Sequence, residues 1–288
     1  MIFKKRTCLI NCYTILLCST LAIHAQSDIT QPSLWRGEWY VSWGFNLDYW
    51  SNSDIHVVQG SLNNNFTVHD VIAGDEPGWT NGLGHGLTGA QYNIRVGHFF
   101  GVNRVWGLEL NFDHTKYNTN LNQVAHVTGV IDGQPINSNQ VLTSDYFSYN
   151  LHNGANELML NIVGRRAILG DINATPSLAG LVKIGAGVML PHASNTILGN
   201  KNNVGPKAWG NLLGWNHGWW QVGGWTAGVE TGVRWVIYKM LYFEVTDKEA
   251  YASLSEIPVY EGRASQNVWL NEVIFSLGLT FNRQPGLN

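Results

Sequence analysis

The chain is 288 residues long with a formal net charge of −3, and only 13% of its residues carry charge. That balance excludes a partner whose phosphates must be neutralised by a basic surface, so no nucleic-acid partner is expected. After residue 26 no run approaches the roughly 20 consecutive apolar residues of a membrane-spanning helix, whereas 32 glycines and 13 tryptophans suit a β-rich wall.

Residues 1–25 have the three-part layout of a secretory signal peptide: Lys4, Lys5 and Arg6, an apolar run from Cys8 to Ile23, and a small residue, Ala25, at its end. The chain is therefore expected to be exported and cleaved there. Cys8, Cys12 and Cys18 all fall in that segment, which leaves the rest without a disulfide, a thiolate metal site or a cysteine nucleophile. Without its three basic residues, 14 Lys plus Arg face 20 Asp plus Glu, a formal balance of −6.

Residues 26–37 read as a periplasmic N-terminal segment, 38–281 as a barrel and 282–288 as a tail. Strand prediction rests on alternation, because a period of two sends successive side chains to opposite faces. From Glu38 to Trp50 the residues Trp39, Val41, Trp43, Phe45, Leu47 and Tyr49 share one parity and Ser42, Gly44, Asn46 and Asp48 the other. The same test predicts strands over 90–100, 104–116, 155–165, 178–190, 221–237, 240–250 and 267–281, each close to the length of a tilted strand that crosses a bilayer.

Nine charges deep in these spans, Asp48, Arg95, Glu109, Glu157, Lys183, Glu230, Arg234, Glu244 and Glu272, lie on the polar parity. A barrel of eight strands is narrow enough for side chains to fill, so these charges are expected to form a paired interior network. Connections alternate: short at 101–103, 166–177 and 238–239, long at 51–89, 117–154, 191–220 and 251–266. The expectation is an all-β, up-and-down antiparallel transmembrane β-barrel of eight strands, with short periplasmic turns and long external loops. Strand-like runs Phe66–Val71 and Val141–Tyr149 extend the wall as hairpins, and promoting the first into the wall gives the ten-stranded alternative.

This pattern, over Glu38 to Phe281, resembles the small Gram-negative outer-membrane β-barrels: the OmpA membrane domain, OmpX, OmpW, and the lipid A enzymes PagL and PagP. The last strand, Val273 to Phe281 with Gly278 and terminal Phe281, is similar to the β-signal such proteins present to the barrel assembly machinery; the tail beyond Phe281 departs from it. The resemblance implies an outer-membrane location, contact with lipid and lipopolysaccharide, and a monomer with a structural or surface-interaction role.

Candidate sites are few. His152-Asn153-Gly154 is similar to the His-x-Ser-Asn-Ala-Gly motif of PagL, but the serine two places on is missing, and Asn-Gly reads first as a turn. Ser144, Asp145 and Ser148 lie upstream with no reason to meet His152. A lipid A-modifying ester hydrolase with His152 as base is thus the alternative function, and a narrow solute channel the second alternative. The tryptophans Trp209, Trp215, Trp219 and Trp220 suit glycan or lipid contact, or an aromatic girdle. Histidines are scattered without ligand spacing, so neither metal nor cofactor is expected; a site, if present, belongs in the first loop with His56, His69, Asp70, Asp75 and His85.

Overall fold

The computed structural model describes residues 37–76, 78, 91–151, 154–202 and 221–281. The described strands, in chain order, begin with β1 (Gly37–Trp50), β2 (Ser53–Gln59), β3 (Asn64–Val71), β4 (Ala73–Gly74), β5 (Tyr92–Phe100) and β6 (Trp106–His114). There follow β7 (Tyr117–Thr119), β8 (Val124–Ile131), β9 (Gln134–Val141), β10 (Phe147–Ser148), β11 (Asn150–Leu151) and β12 (Ala155–Leu169). The last are β13 (Ser177–Pro191), β14 (Thr196–Ile197), β15 (Asn200–Lys201), β16 (Gly224–Tyr238), β17 (Leu241–Val259) and β18 (Gly262–Phe281).

Eight of them, in the order β1-β5-β6-β12-β13-β16-β17-β18, close into an antiparallel ring through pairing of β1 with β18. Each ring strand pairs with the next ring strand along the chain, so the topology is up-and-down. β3, which carries the run Phe66–Val71, stands outside the ring, and the ten-stranded alternative is set aside.

The two faces of the ring follow the alternation. Outward residues are apolar and exposed, among them Val41, Val96, Leu110, Leu160, Ile184, Phe243 and Leu277, while the inward positions between them are buried and largely polar. Exposing such a continuous belt to water would forgo the hydrophobic stabilisation of about 25 cal/mol for each Å² covered, so the belt demands an apolar solvent. Trp39, Trp106, Trp235 and Phe281 lie toward the short-turn end of their strands and Tyr49, Trp225 and Trp269 toward the other.

At the long-loop end the wall does not stop. β17 runs on to Val259 and turns at Tyr260 and Glu261 directly into β18, so residues predicted as a loop over 251–266 form a continuous hairpin. The upper part of β18 leaves β1 and pairs instead with β2, which begins a second stretch of sheet, β2-β3-β8-β9. β8 and β9 meet at Asp132-Gly133, both with positive φ (52° and 74°), the geometry a two-residue hairpin turn requires. The run Val141–Tyr149 is not one strand: β9 ends at Val141, a turn follows, and only Phe147–Ser148 pairs, with β14.

The inner face of this outer sheet covers an apolar core. Ile55, Val57, Phe66, Val68, Tyr117, Val127, Leu142, Phe147, Tyr149, Leu254 and Val268 are buried together there. Burial lifts the Tyr117 phenol to about 12 against the opposing bonds from Ser53 and Gln266. The ring thus carries a dry lid built from strands that the sequence places in four separate connections.

Candidate functional site

Charged and aromatic side chains are buried inside the ring from its short-turn end upward. At the short-turn end the Glu38 carboxylate accepts bonds from Arg165 Nη1 (2.9 Å) and Nη2 (3.2 Å), and Arg104 Nη1 lies 3.5 Å away. The Arg165 guanidinium sits 3.8 Å over the Phe99 ring. Above it Arg234 is held between Tyr40 and Tyr242, 4.1 and 4.2 Å from their ring centres, and its Nε donates to Glu244 at 2.7 Å. Both tyrosines lie flat over glycines on the next strand: a Cβ on Gly97 or Gly278 would stand 2.2 Å from Tyr40 Cζ or Tyr242 Cζ. Those two positions take glycine because a ring occupies the side-chain volume.

In the middle Lys183 Nζ lies 3.1, 3.0 and 2.8 Å from Glu109, Glu230 and Glu244. Arg95 bonds Glu109 at 3.1 Å and Glu230 at 3.0 Å, and reaches Asp113 at 3.5 Å. Higher still, Lys248 Nζ contacts Asp113 at 2.8 Å, Glu272 at 2.6 Å, and Glu157, which also accepts from Thr226 Oγ1 at 2.6 Å. Asp113, Glu157 and Glu272 converge closely enough to ligate an ion, yet the Lys248 ammonium already stands among them. Near the upper end Asp48 accepts from Asn46 Nδ2 (2.8 Å) and from Gln91, and its amide donates to Asp75 Oδ2 at 2.9 Å.

The nine charges named from the sequence are all buried. Sequence reasoning missed Glu38, Asp113, Arg104, Arg165 and Lys248. Asp113 shares the parity of Glu109, and Lys248 shares that of Glu244, so alternation carried the signal. Two further charges correct the expectation that deep charges keep to the polar face: Asp247 and Glu249, either side of Lys248, point outward from the wall. Asn271 on β18 donates to Asp247 Oδ1 at 2.7 Å and to Glu249 Oε1 at 3.1 Å.

His152, Trp209, Trp215, Trp219, Trp220 and His85 lie outside the described residues, as do the signal segment and the tail. Ser148 Oγ accepts from Asn150 Nδ2 at 2.9 Å. Of the other first-loop residues, Asp75 reaches down to Asp48, and His56 Nε2 is 2.8 Å from Asn65 Oδ1.

His69 joins a different arrangement. β3 carries one more residue than β2 between the Ser53–Val71 and Ile55–Val68 pairs, and Asp70 takes a positive φ of 59° there. Asp54 therefore faces both His69 and Asp70. Its Oδ1 accepts the Asp70 amide at 2.9 Å, and its Oδ2 lies 2.9 Å from His69 Nδ1. Slight burial raises the Asp54 carboxyl, but the Asp70 amide and His69 outweigh it and hold the group below the ordinary carboxylate range. His69 Nε2 is 2.8 Å from Thr128 Oγ1 on β8. Carboxylate, imidazole and hydroxyl thus form a chain on the outward face of the outer sheet. Hydrolysis would also require converging N–H donors for an oxyanion. Apart from the Asp70 amide, which Asp54 takes, the surrounding strands are paired in the β2-β3-β8 ladder, so their amides are directed along the sheet.

A closed ring of eight antiparallel strands, an apolar outer belt and a polar packed interior are now in place. The architecture is that of a small outer-membrane β-barrel. No protein-family model and no curated relative matches the chain. Solved structures similar to it include Neisserial surface protein A, at 9% identity and a TM-score of 0.34 over 85% of this chain and 99% of that one. The attachment invasion locus protein Ail of Yersinia pestis is 14% identical, with a TM-score of 0.32 and the same two coverages. OprG of Pseudomonas aeruginosa is 12% identical, with a TM-score of 0.36 over 85% and 96%.

Proposed function

We propose that this barrel is a structural and surface-interaction protein of the outer membrane, which anchors its outer β-layer at the cell exterior and conducts nothing through its interior. The observation that carries the reading is the succession inside the ring: guanidinium on aromatic rings, then two lysine-centred carboxylate groups, then the apolar core of the lid. In this reading the short turns face the periplasm, the belt contacts lipid and lipopolysaccharide, and β18, ending at Phe281, is offered to the assembly machinery. The chain acts as a monomer, since the ring closes on itself.

Full-length protein returned to bilayers tests it. The expected result is a folded form that migrates differently from the heated form on a gel, membrane-fraction localisation, and no stepped conductance for wild type or Glu230→Gln. Unit conductance in the wild type would replace the sealed barrel with a channel. Recovery as a soluble periplasmic protein would sink the membrane assignment itself.

A further inference from the structure

On the outward face of the outer sheet, one row crosses four strands at a common level: Asp54 on β2, His69 on β3, His126 on β8 and Asn139 on β9. His69 and His126 are direct cross-strand partners, as are His126 and Asn139. The two imidazole rings face each other with centres 6.0 Å apart and planes 30° from parallel.

Each ring is oriented through the same nitrogen. Asp54 Oδ2 stands 2.9 Å from His69 Nδ1, and Asn139 Oδ1 stands 3.0 Å from His126 Nδ1. A carboxylate and an amide oxygen only accept, so Nδ1 carries the hydrogen in both rings and Nε2 keeps its lone pair. His69 Nε2 then accepts from the Thr128 hydroxyl. Two neighbouring imidazoles, each oriented through Nδ1 by an oxygen acceptor and each presenting an unprotonated Nε2, that of His69 held by the Thr128 hydroxyl, make the arrangement in which outer partners orient metal-ligating histidines.

We infer that His69 and His126 form a surface site for a borderline divalent transition-metal ion such as Zn2+, with Asp54 and Asn139 as positioning residues and solvent completing the coordination. Imidazole nitrogen suits such ions, at metal distances of about 2.0–2.1 Å. Ligation requires His69 Nε2 to release the Thr128 hydroxyl and both side chains to turn until their Nε2 atoms meet at one ion. The Asp54 carboxylate adds local negative charge, and its side chain is 59% exposed against 34% for His69, so an ion has access from solvent. A bound ion would tie β3, which is fastened to the ring through β2 and β18, to the projecting β8–β9 hairpin. The inference is independent of the membrane role, because it rests on the outer sheet alone.

The test is calorimetric titration of refolded full-length protein with ZnCl2, repeated with Cu2+ and read by electron paramagnetic resonance for nitrogen ligation. Wild type is expected to bind Zn2+, to show a two-nitrogen Cu2+ signal and to gain hydrogen-exchange protection over residues 124–141. His69→Ala and His126→Ala should each abolish all three readouts. Asp54→Asn, which keeps both ligands, should weaken binding by roughly 10- to 100-fold. His56→Ala, on the same face but bonded to Asn65, should change nothing. Absence of binding in wild type, binding that persists in the His69→Ala/His126→Ala double variant, or loss of binding in His56→Ala would each overturn the site.

Discussion

Lys248 shows how one residue can decide the state of its surroundings. Its ammonium is 2% exposed and is shared among Asp113, Glu157 and Glu272, three carboxylates that are themselves buried. Removing one partner of a buried ionic group leaves the others uncompensated, which typically costs about 3–5 kcal/mol. Lys248→Met is expected to lower the stability of the folded barrel by that order, read as an earlier loss of the fast-migrating form on urea titration. Adding Glu157→Gln should recover part of the loss, because it removes one of the charges left behind. If the double variant were no better than the single, packing rather than charge would be the reason Lys248 is there. At this scale the sequence was legible as far as parity reaches: Glu244, Lys248 and Glu272 share the inward face by alternation. Which base meets which acid was not, since Lys248 meets Glu157 across the lumen, 91 residues away in the chain.

At the scale of elements, the ring strands are set by local alternation and their neighbours by chain order, so both could be read without coordinates. The outer sheet obeys neither rule. β2 continues the path of β1 along β18 after a break of two residues, and β8 joins β3 from a different connection. Nothing in a single segment announces that pairing. The Asp132-Gly133 turn was a readable signal for β8–β9, whereas the run over 141–149 was misleading because its apolar residues serve the lid core rather than one sheet face. The metal-site row depends on that same long-range pairing, with Asp54 and His69 from the first loop and His126 and Asn139 from the second. If the lid is a separate layer of packing, damaging it should spare the ring. Phe66→Ala removes a ring that is 1% exposed in the lid core, a change that costs about 3–5 kcal/mol. The expected outcome is faster proteolysis and hydrogen exchange over residues 53–141 with the heat-modifiable shift retained. Loss of that shift would mean that lid and ring fold as one unit.

For the whole molecule, the decisive constraint is the solvent around the wall, and Asp247 and Glu249 are where the chain strains against it. On the outward face of β17 they follow Leu241, Phe243 and Val245 and precede Tyr251, which packs 5.2 Å from the outer-end Trp269. A strand rising about 3.3 Å per residue at a tilt near 40° puts Asp247 roughly 15 Å above Leu241, inside an apolar band about 25 Å tall. Their outward neighbours soften the position: Thr231 and Val273 flank Asp247, and Asn271 bonds both carboxylates. Acidic groups on a lipid face cost less than the roughly 2–4 kcal/mol of a basic residue at the midplane, but the sign is the same. The double variant Asp247→Val/Glu249→Val is therefore expected to stabilise the folded protein in bilayers by on the order of 1 kcal/mol, measured by reversible urea unfolding. The same variant in a detergent whose headgroups reach the site should show a smaller gain. A loss of stability in bilayers would mean that this strip of wall meets a polar partner or a water-filled depression rather than acyl chains, and would move the lipid boundary below Asp247 on this side of the barrel.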